Sequence, residues 1–159
     1  MRGAQPLIIN FPLPLGKGKG TKGIGLPAGK EQKNMKTKEK AAAIIVAAGE
    51  STRMGGTDKM FAELGSKTIL ARTVDIFQKS GSIDRIILVV NAKNIARVNR
   101  LAATEKWDKV TDVCAGGKRR QDSVAEGLKK LHDEEWVIIH DGARPLVTRD
   151  LIKRGLLKA

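Results

Sequence analysis

From Ala41 to the end of the chain, apolar residues come in two alternating styles. One is the short unbroken run: AAIIVAA at 42–48, RIILVV from Arg85 to Val90 and WVIIH from Trp136 to His140, with VTDVCA at 110–115 as a weaker fourth. Such runs, short and free of polar alternation, predict strands buried on both faces. The other style is helical spacing. A helix is predicted from about Thr68 to Lys79, with Ile69 or Leu70, Val74 and Phe77 on one face. Lys93 to Thr104 is compatible with a helix, Asp122 to Leu131 places Val124, Leu128 and Leu131 on one face, and Asp150 to Leu157 begins a final helix. Strands of this kind separated by helices imply an α/β chain with a mainly parallel, doubly wound sheet whose ligands gather at the strands' carboxyl ends.

Residues 1–34 follow neither pattern. Rich in Gly, Pro and Lys, with LIINF as their one apolar patch, they are expected to form a disordered basic extension, because such a segment cannot repay its ordering entropy. A secretory leader is not expected, since Pro12 and Pro14 interrupt the apolar residues, and one Arg, one Thr and no Ser fit an organellar transit peptide poorly. Met35 precedes a short basic lead into the first strand and is the expected natural start, which leaves 35–159 as the folded domain.

The formal charge of +13 invites a polyanion, but its distribution narrows the choice. Six basic residues and one acidic residue fall within 1–34, so a net of +8 is spread over the other 125 residues. With no Tyr, three Phe and two Trp there is little aromatic surface for base stacking, and a nucleic-acid platform is not expected. No apolar run approaches the roughly 18 residues of a membrane span. Cys114 is the single cysteine, without a partner for an internal disulfide or a metal-binding pair; it reads as a small buried apolar residue, and a reducing cytoplasm is the expected setting.

Three segments follow the carboxyl ends of strands: AAGESTRMGGTDK at 47–59, AGGKRRQDSV at 115–124 and HDGARP at 140–145. Each has glycine, which lets backbone approach a ligand, and each adds charged or hydroxyl groups. In the first, Gly49 frees the chain to turn so that backbone amides face an anion, and Arg53 and Lys59 supply positive charge six residues apart. Nucleotidyl transfer concentrates negative charge on the oxygens of the reacting phosphorus, so positioned cations are the expected device. This first loop matches neither GxxxxGK[ST] nor GxGxxG. His140 reads as a satisfied strand-end histidine, Arg144 as a residue that shapes its loop, and Arg119 with Arg120 as either a solvated pair or ligand contacts.

AAIIVAAGESTRMGGTDKMFAELGSKTIL resembles the opening signature of Rossmann-like nucleotidyltransferases. GGKRRQDSVAEGL and WVIIHDGARPLV resemble the later motifs of the 2-C-methyl-D-erythritol 4-phosphate cytidylyltransferase family, in the same order. The resemblance implies a Rossmann-like doubly wound fold of the nucleotidyltransferase type, and transfer of CMP from CTP to methylerythritol phosphate with Mg²⁺ carried on the triphosphate. By the same resemblance Arg53 and Lys59 stabilise the transition state. Ala47, Ala48, Gly49, Ser51, Gly116, Gly117, Arg120 and Ser123 bind the nucleotide, and Asp141 lies near the ribose and metal-bound phosphates without a direct protein ligand for the metal. A polyol phosphate such as ribitol 5-phosphate is the alternative acceptor.

Three departures stand out. Ser51 replaces the family's usual Gly, Asp58 stands where a Pro usually precedes the Lys, and the Arg-to-Lys spacing is one residue shorter. Asp58 is expected to pair with Lys59 or Arg53. Family members also continue well beyond Ala159, through the rest of the sheet, a dimerising arm and the acceptor-positioning groups. The expectation is therefore a fold incomplete at its carboxyl end that keeps the CTP half. Its complete parent would be a homodimer, and the 159-residue chain itself is either active or an inert nucleotide-binding fragment.

Overall fold

The computed structural model describes residues 7–10, 40–49 and 58–158. Its centre is a sheet containing β2 (Ala41–Ala47), β5 (Arg85–Val90), β6 (Val110–Ala115) and β7 (Trp136–Asp141), all mutually parallel in the order β7-β2-β5-β6. A two-residue hairpin, β3 (Glu63–Leu64) and β4 (Lys67–Thr68), stands apart and turns through Gly65 at φ 68°, a left-handed conformation that favours glycine.

The period of two along each strand divides the core. Ala43, Ile45, Ile86, Leu88, Val90 and Ile138 face one side, where Leu70, Val74 and Phe77 of α1 (Ile69–Gln78), Val98 of α2 (Ile95–Thr104) and Ile152 of α4 (Arg149–Lys158) cover them. Ile44, Ile87, Val89, Val137 and Ile139 face the other, under Val124 and Leu128 of α3 (Arg120–Leu128). Both faces are covered, which is why the strands read as continuous apolar runs.

The chain runs outward from β2 through β5 to β6, then crosses back over the sheet with α3 to place β7 on the far side of β2. The carboxyl ends of β2 and β7 therefore flank the topological switch point, the place where open α/β sheets form a binding crevice.

The predicted elements are present, with shifted ends. Thr68 caps α1, its hydroxyl accepting from the Ala71 N–H at 3.2 Å. α2 begins after a separate 3₁₀ turn, Ala92–Asn94. α3 starts at Arg120, two residues before the expected position, because the Asp122 carboxylate accepts from the Arg119 N–H at 3.1 Å and closes the first turn. It ends at Leu128, and Leu131 follows in a tighter turn that still packs it on the same cluster. Cys114 is half-buried against that cluster, and burial pushes its thiol up.

One expectation needs correction. Within the segment expected to be disordered, Leu7–Asn10 form β1, which pairs antiparallel with β7 from Leu7 opposite Ile139 to Asn10 opposite Trp136. Leu7, Ile8 and Ile9 are apolar, the two Ile β-branched, and the edge of β7 facing away from β2 offers backbone partners. Ile8 packs on the core beside Gly155 of α4. The rest of 1–34 and the expected start at Met35 lie outside the described residues.

Candidate functional site

Four parallel strands end on one side of the sheet, and a cleft of about 990 Å³ opens there. Backbone hydrogen bonds carry the ladder into its walls: the Gly116 N–H donates to the Val90 carbonyl and the Gly142 N–H to the Val46 carbonyl, each at 2.8 Å. Thr73 of α1, fully buried, donates its hydroxyl to the Gly142 carbonyl at 2.8 Å and holds the β7 loop from beneath.

Ala47, Ala48 and Gly49 leave β2 along the floor of the cleft. Ala47 is buried and Gly49 exposed, so the backbone emerges into solvent within this step. Gly116 and Gly117 leave β6 beside them. The two loops approach so closely that a Cβ on Gly116 would stand 2.3 Å from the Ala48 Cβ and 2.5 Å from Ser123 Oγ. Ser123 lines the cleft, yet its hydroxyl is buried and committed to the loop, accepting from the Gly117 N–H at 3.2 Å and lying 3.2 Å from the Arg119 carbonyl. What its hydroxyl does is fix the glycine loop.

Charge is supplied from three directions. Lys59 is exposed on a 3₁₀ turn, Lys59–Phe61, whose Met60 is buried beside Gly142. Lys118, Arg119 and Arg120 come from the start of α3, and Arg144 from the β7 loop. Asp141, the one carboxylate among the described lining residues, joins two of these: Arg120 Nε donates to Oδ1 at 2.9 Å and Arg144 Nε to Oδ2 at 2.9 Å. These groups are one-third to one-half exposed, so each pair is weak, worth about 1 kcal/mol or less, and open to exchange with a ligand. Arg119 pairs with Asp122 at 2.9 Å.

His140 is satisfied, as its sequence position suggested. Its Nε2 lies 3.0 Å from the Arg144 carbonyl, and its ring sits 5.2 Å from that of Phe77. Burial holds its pKa below the ordinary 6.5, so the neutral imidazole donates to that carbonyl and steadies the turn bearing Asp141 and Arg144.

Of the residues expected at the site, Ala47, Ala48, Gly49, Lys59, Gly116, Gly117, Arg120, Ser123 and Asp141 come together here. Ser51 and Arg53 lie outside the described residues. The Asp58 carboxylate accepts from the Met60 N–H at 3.2 Å and from Asn94 Nδ2 at 2.5 Å. Asn91 and Ala92, which follow β5 and line the cleft, were missed; they carry neither glycine nor charge, and the carboxyl-end rule applied to RIILVV was the signal that could have found them. Among the described residues no three metal-ligating side chains converge, and no helix is long and apolar enough to cross a membrane.

Comparison with known proteins agrees with this geometry. Residues 41–159 match the model of IspD, 2-C-methyl-D-erythritol 4-phosphate cytidylyltransferase. A 2-C-methyl-D-erythritol 4-phosphate cytidylyltransferase of Dehalococcoides mccartyi is 51% identical over 118 residues, covering 74% of this chain and 52% of that protein. The crystal structure of 4-diphosphocytidyl-2C-methyl-D-erythritol synthase from Anaerococcus prevotii superposes with a TM-score of 0.65 at 31% identity, over 76% of this chain and 50% of that one. A protein of Mycobacterium tuberculosis solved in complex with manganese shares the fold, with a TM-score of 0.57 at 21% identity, over 76% of this chain and 59% of its own. The chain thus spans about half the length of the curated relatives it matches. A parallel sheet with its cleft at the switch point, three motifs at the cleft walls and a family match over residues 41–159 agree, and the chain belongs to the 2-C-methyl-D-erythritol 4-phosphate cytidylyltransferase family.

Proposed function

We propose that the cleft binds CTP, and that the chain is the nucleotide-binding part of an enzyme that transfers CMP to 2-C-methyl-D-erythritol 4-phosphate in non-mevalonate isoprenoid precursor synthesis. The observation that carries this reading is the convergence of Lys59, Lys118, Arg119, Arg120 and Arg144 on a glycine-walled cleft at the strands' carboxyl ends.

In the proposed reaction an oxygen of the acceptor phosphate forms a bond to the α-phosphorus of CTP as the bond to the bridging oxygen of the β-phosphate breaks, and pyrophosphate leaves. The acceptor phosphate is already an anion near neutral pH, so no general base is required. The protein's work is to hold the reactants in line and to neutralise charge. Backbone at Ala47, Ala48, Gly49 and Ser51 would follow the triphosphate, Gly116, Gly117 and Ser123 would shape the base pocket, Arg120 and Asp141 would border the ribose and phosphates, and Lys59 with Arg53 would oppose the charge that develops at the α-phosphorus. A single carboxylate among the described lining residues suits a divalent cation carried by the phosphates better than one caged by protein. Bound there as Mg²⁺ it would neutralise phosphate charge, with Asp141 as its nearest protein oxygen donor.

Calorimetry of the 159-residue chain with CTP and Mg²⁺, using ATP and GTP as controls, tests the nucleotide reading. CTP-selective binding is expected; binding indifferent to the base, or none, refutes it. Because the chain spans about half of its relatives, release of pyrophosphate on adding methylerythritol phosphate is measured separately. That assay separates an active chain from an inert nucleotide-binding fragment. Ribitol 5-phosphate in its place tests the rival acceptor, and the complete parent, proposed as a cytoplasmic homodimer, provides the reference rate.

A further inference from the structure

We infer that Asp58 and Asn94, with Phe61 and Arg97 beside them, form a clamp that positions Lys59 at the cleft, and that they are positioning residues for binding the triphosphate. The inference rests on the proposed role of Lys59 and adds what holds it in place.

The turn Lys59–Phe61 is short, and one turn of 3₁₀ helix has little stability of its own. Three contacts fix it. From below, Met60 is buried beside Gly142 in the β7 loop. At its start, Asp58 uses both carboxylate oxygens: Oδ1 caps the turn by accepting from the Met60 N–H at 3.2 Å, and Oδ2 accepts from Asn94 Nδ2 at 2.5 Å. At its end, the Arg97 guanidinium stacks 3.7 Å above the centre of the Phe61 ring.

Asn94 and Arg97 are three residues apart at the start of α2, a spacing that places them on neighbouring parts of one surface. The side chains that grip the turn on either side of Lys59 thus come from one rigid element. That element continues directly from Asn91 and Ala92, which line the same cleft. The wall that follows β5 and the turn that carries Lys59 are in this way one mechanical unit.

The position of Asp58 in the sequence supports a dedicated role. Its φ of −70° lies within the range that a proline would impose. The backbone shape expected of the family's usual proline is therefore retained, while the carboxylate adds a tie to Asn94 that a proline lacks.

The test uses the full chain and four variants: Asp58→Ala, Asn94→Ala, their combination, and Lys59→Ala. Each is titrated with CTP and with cytidine, which carries no phosphate, in Mg²⁺, and amide hydrogen exchange is followed at Phe61 and Ala62, whose N–H groups donate to the carbonyls of Asp58 and Lys59. Asp58→Ala and Asn94→Ala are each expected to weaken CTP binding about three- to tenfold, the scale of one charge-assisted hydrogen bond. The double variant should lose little more than the worse single one, because both substitutions break the same tie. Cytidine binding should change less than about twofold, and exchange at Phe61 and Ala62 should rise about tenfold.

Weaker CTP binding in Lys59→Ala with unchanged binding in both clamp variants would sink the clamp and leave the proposed function standing. Unchanged CTP binding in Lys59→Ala would remove the role of Lys59, and the clamp with it. Equal losses for CTP and cytidine, or fully additive losses in the double variant, would indicate general loosening and also overturn the inference. If Asp58→Ala fails to fold, Asn94→Ala, which leaves the cap intact, decides alone. If the parent chain does not bind CTP, the proposed function fails independently, and unchanged amide exchange in Asn94→Ala would refute the clamp by itself.

Discussion

Replacing Gly116 with Ala probes the closest approach in the site. The added Cβ would lie 2.3 Å from the Ala48 Cβ, whereas non-bonded carbons rest at about 3.5–4.0 Å, so the two loops must separate by roughly 1 Å or more. The Ser123 hydroxyl, 2.5 Å from the same new atom, would have to leave its hydrogen bond to the Gly117 N–H. Overpacking of this kind costs about 1–3 kcal/mol, which for a domain of this size lowers Tm by about 4–12 °C. Loop separation at a charged cleft should also weaken CTP binding by at least about tenfold, since a displacement on the order of 1 Å spoils several contacts together.

Gly49→Ala is the control that separates strain from ligand contact. Among the described residues beyond its chain neighbours, no atom lies within 4 Å of a Cβ built there, so the variant should melt with the parent protein. If backbone at Gly49 faces the triphosphate, CTP binding should nevertheless weaken. Differential scanning calorimetry and CTP titration read both quantities. A Gly116→Ala protein with unchanged melting and affinity would refute the close loop packing, and a Gly49→Ala protein with unchanged affinity would refute the backbone contact.

Three further substitutions test the framework. Because burial lowers the pKa of His140, the unfolded chain binds its proton first on acidification; stability should fall as pH drops below about 6.5, by at most about 1.4 kcal/mol per pH unit. Urea unfolding at pH 7 and pH 5 should show this slope reduced in His140→Gln, whereas the lowered pKa of Asp112 acts only below 3.8. Glu134, 4% exposed, holds Arg85 at 3.1 Å and the His132 N–H at 2.7 Å; Glu134→Ala should cost about 2–4 kcal/mol by urea unfolding, and a change under about 0.5 kcal/mol would contradict the network. Ile8→Asp should detach β1, lowering stability by about 1–2 kcal/mol and raising amide exchange along the outer edge of β7; unchanged exchange would remove that pairing.

The parts of the fold legible in sequence were those with local signatures. Buried parallel strands must be apolar on both faces, so 42–48, Arg85–Val90 and Trp136–His140 were visible without any knowledge of their partners. The glycine-bearing segments after 47, 115 and 140 were visible because close backbone approach restricts residue choice. Features that depend on distant partners were not visible. Leu7–Asn10 sits among glycines and prolines, and nothing nearby reveals that it pairs with residues 136–139. The bond from Asn94 to Asp58 spans 36 positions, and no periodicity connects them. Ser123 lines the cleft while its buried hydroxyl serves Gly117, and the division between touching a ligand and shaping a loop depends on side-chain direction.

The charge arrangement helps explain how such a cleft could be held ready without being locked. The five basic side chains that line the cleft among the described residues repel one another, and a local counter-charge is needed to keep them there. Asp141 supplies it for Arg120 on α3 and Arg144 on the β7 loop, and Asp122 supplies it for Arg119. One carboxylate thereby ties two elements that meet across the cleft. Being partly exposed, these pairs cost little to exchange, so under the proposed function a polyphosphate would take over the guanidinium groups with small loss and leave the Asp141 carboxylate open to a cation carried on the phosphates. His140 beneath the same turn holds the chain that bears Asp141 and Arg144 through its hydrogen bond to the Arg144 carbonyl. The rigid parts of the site are thus backbone and buried polar groups, and the exchangeable parts are its surface ion pairs.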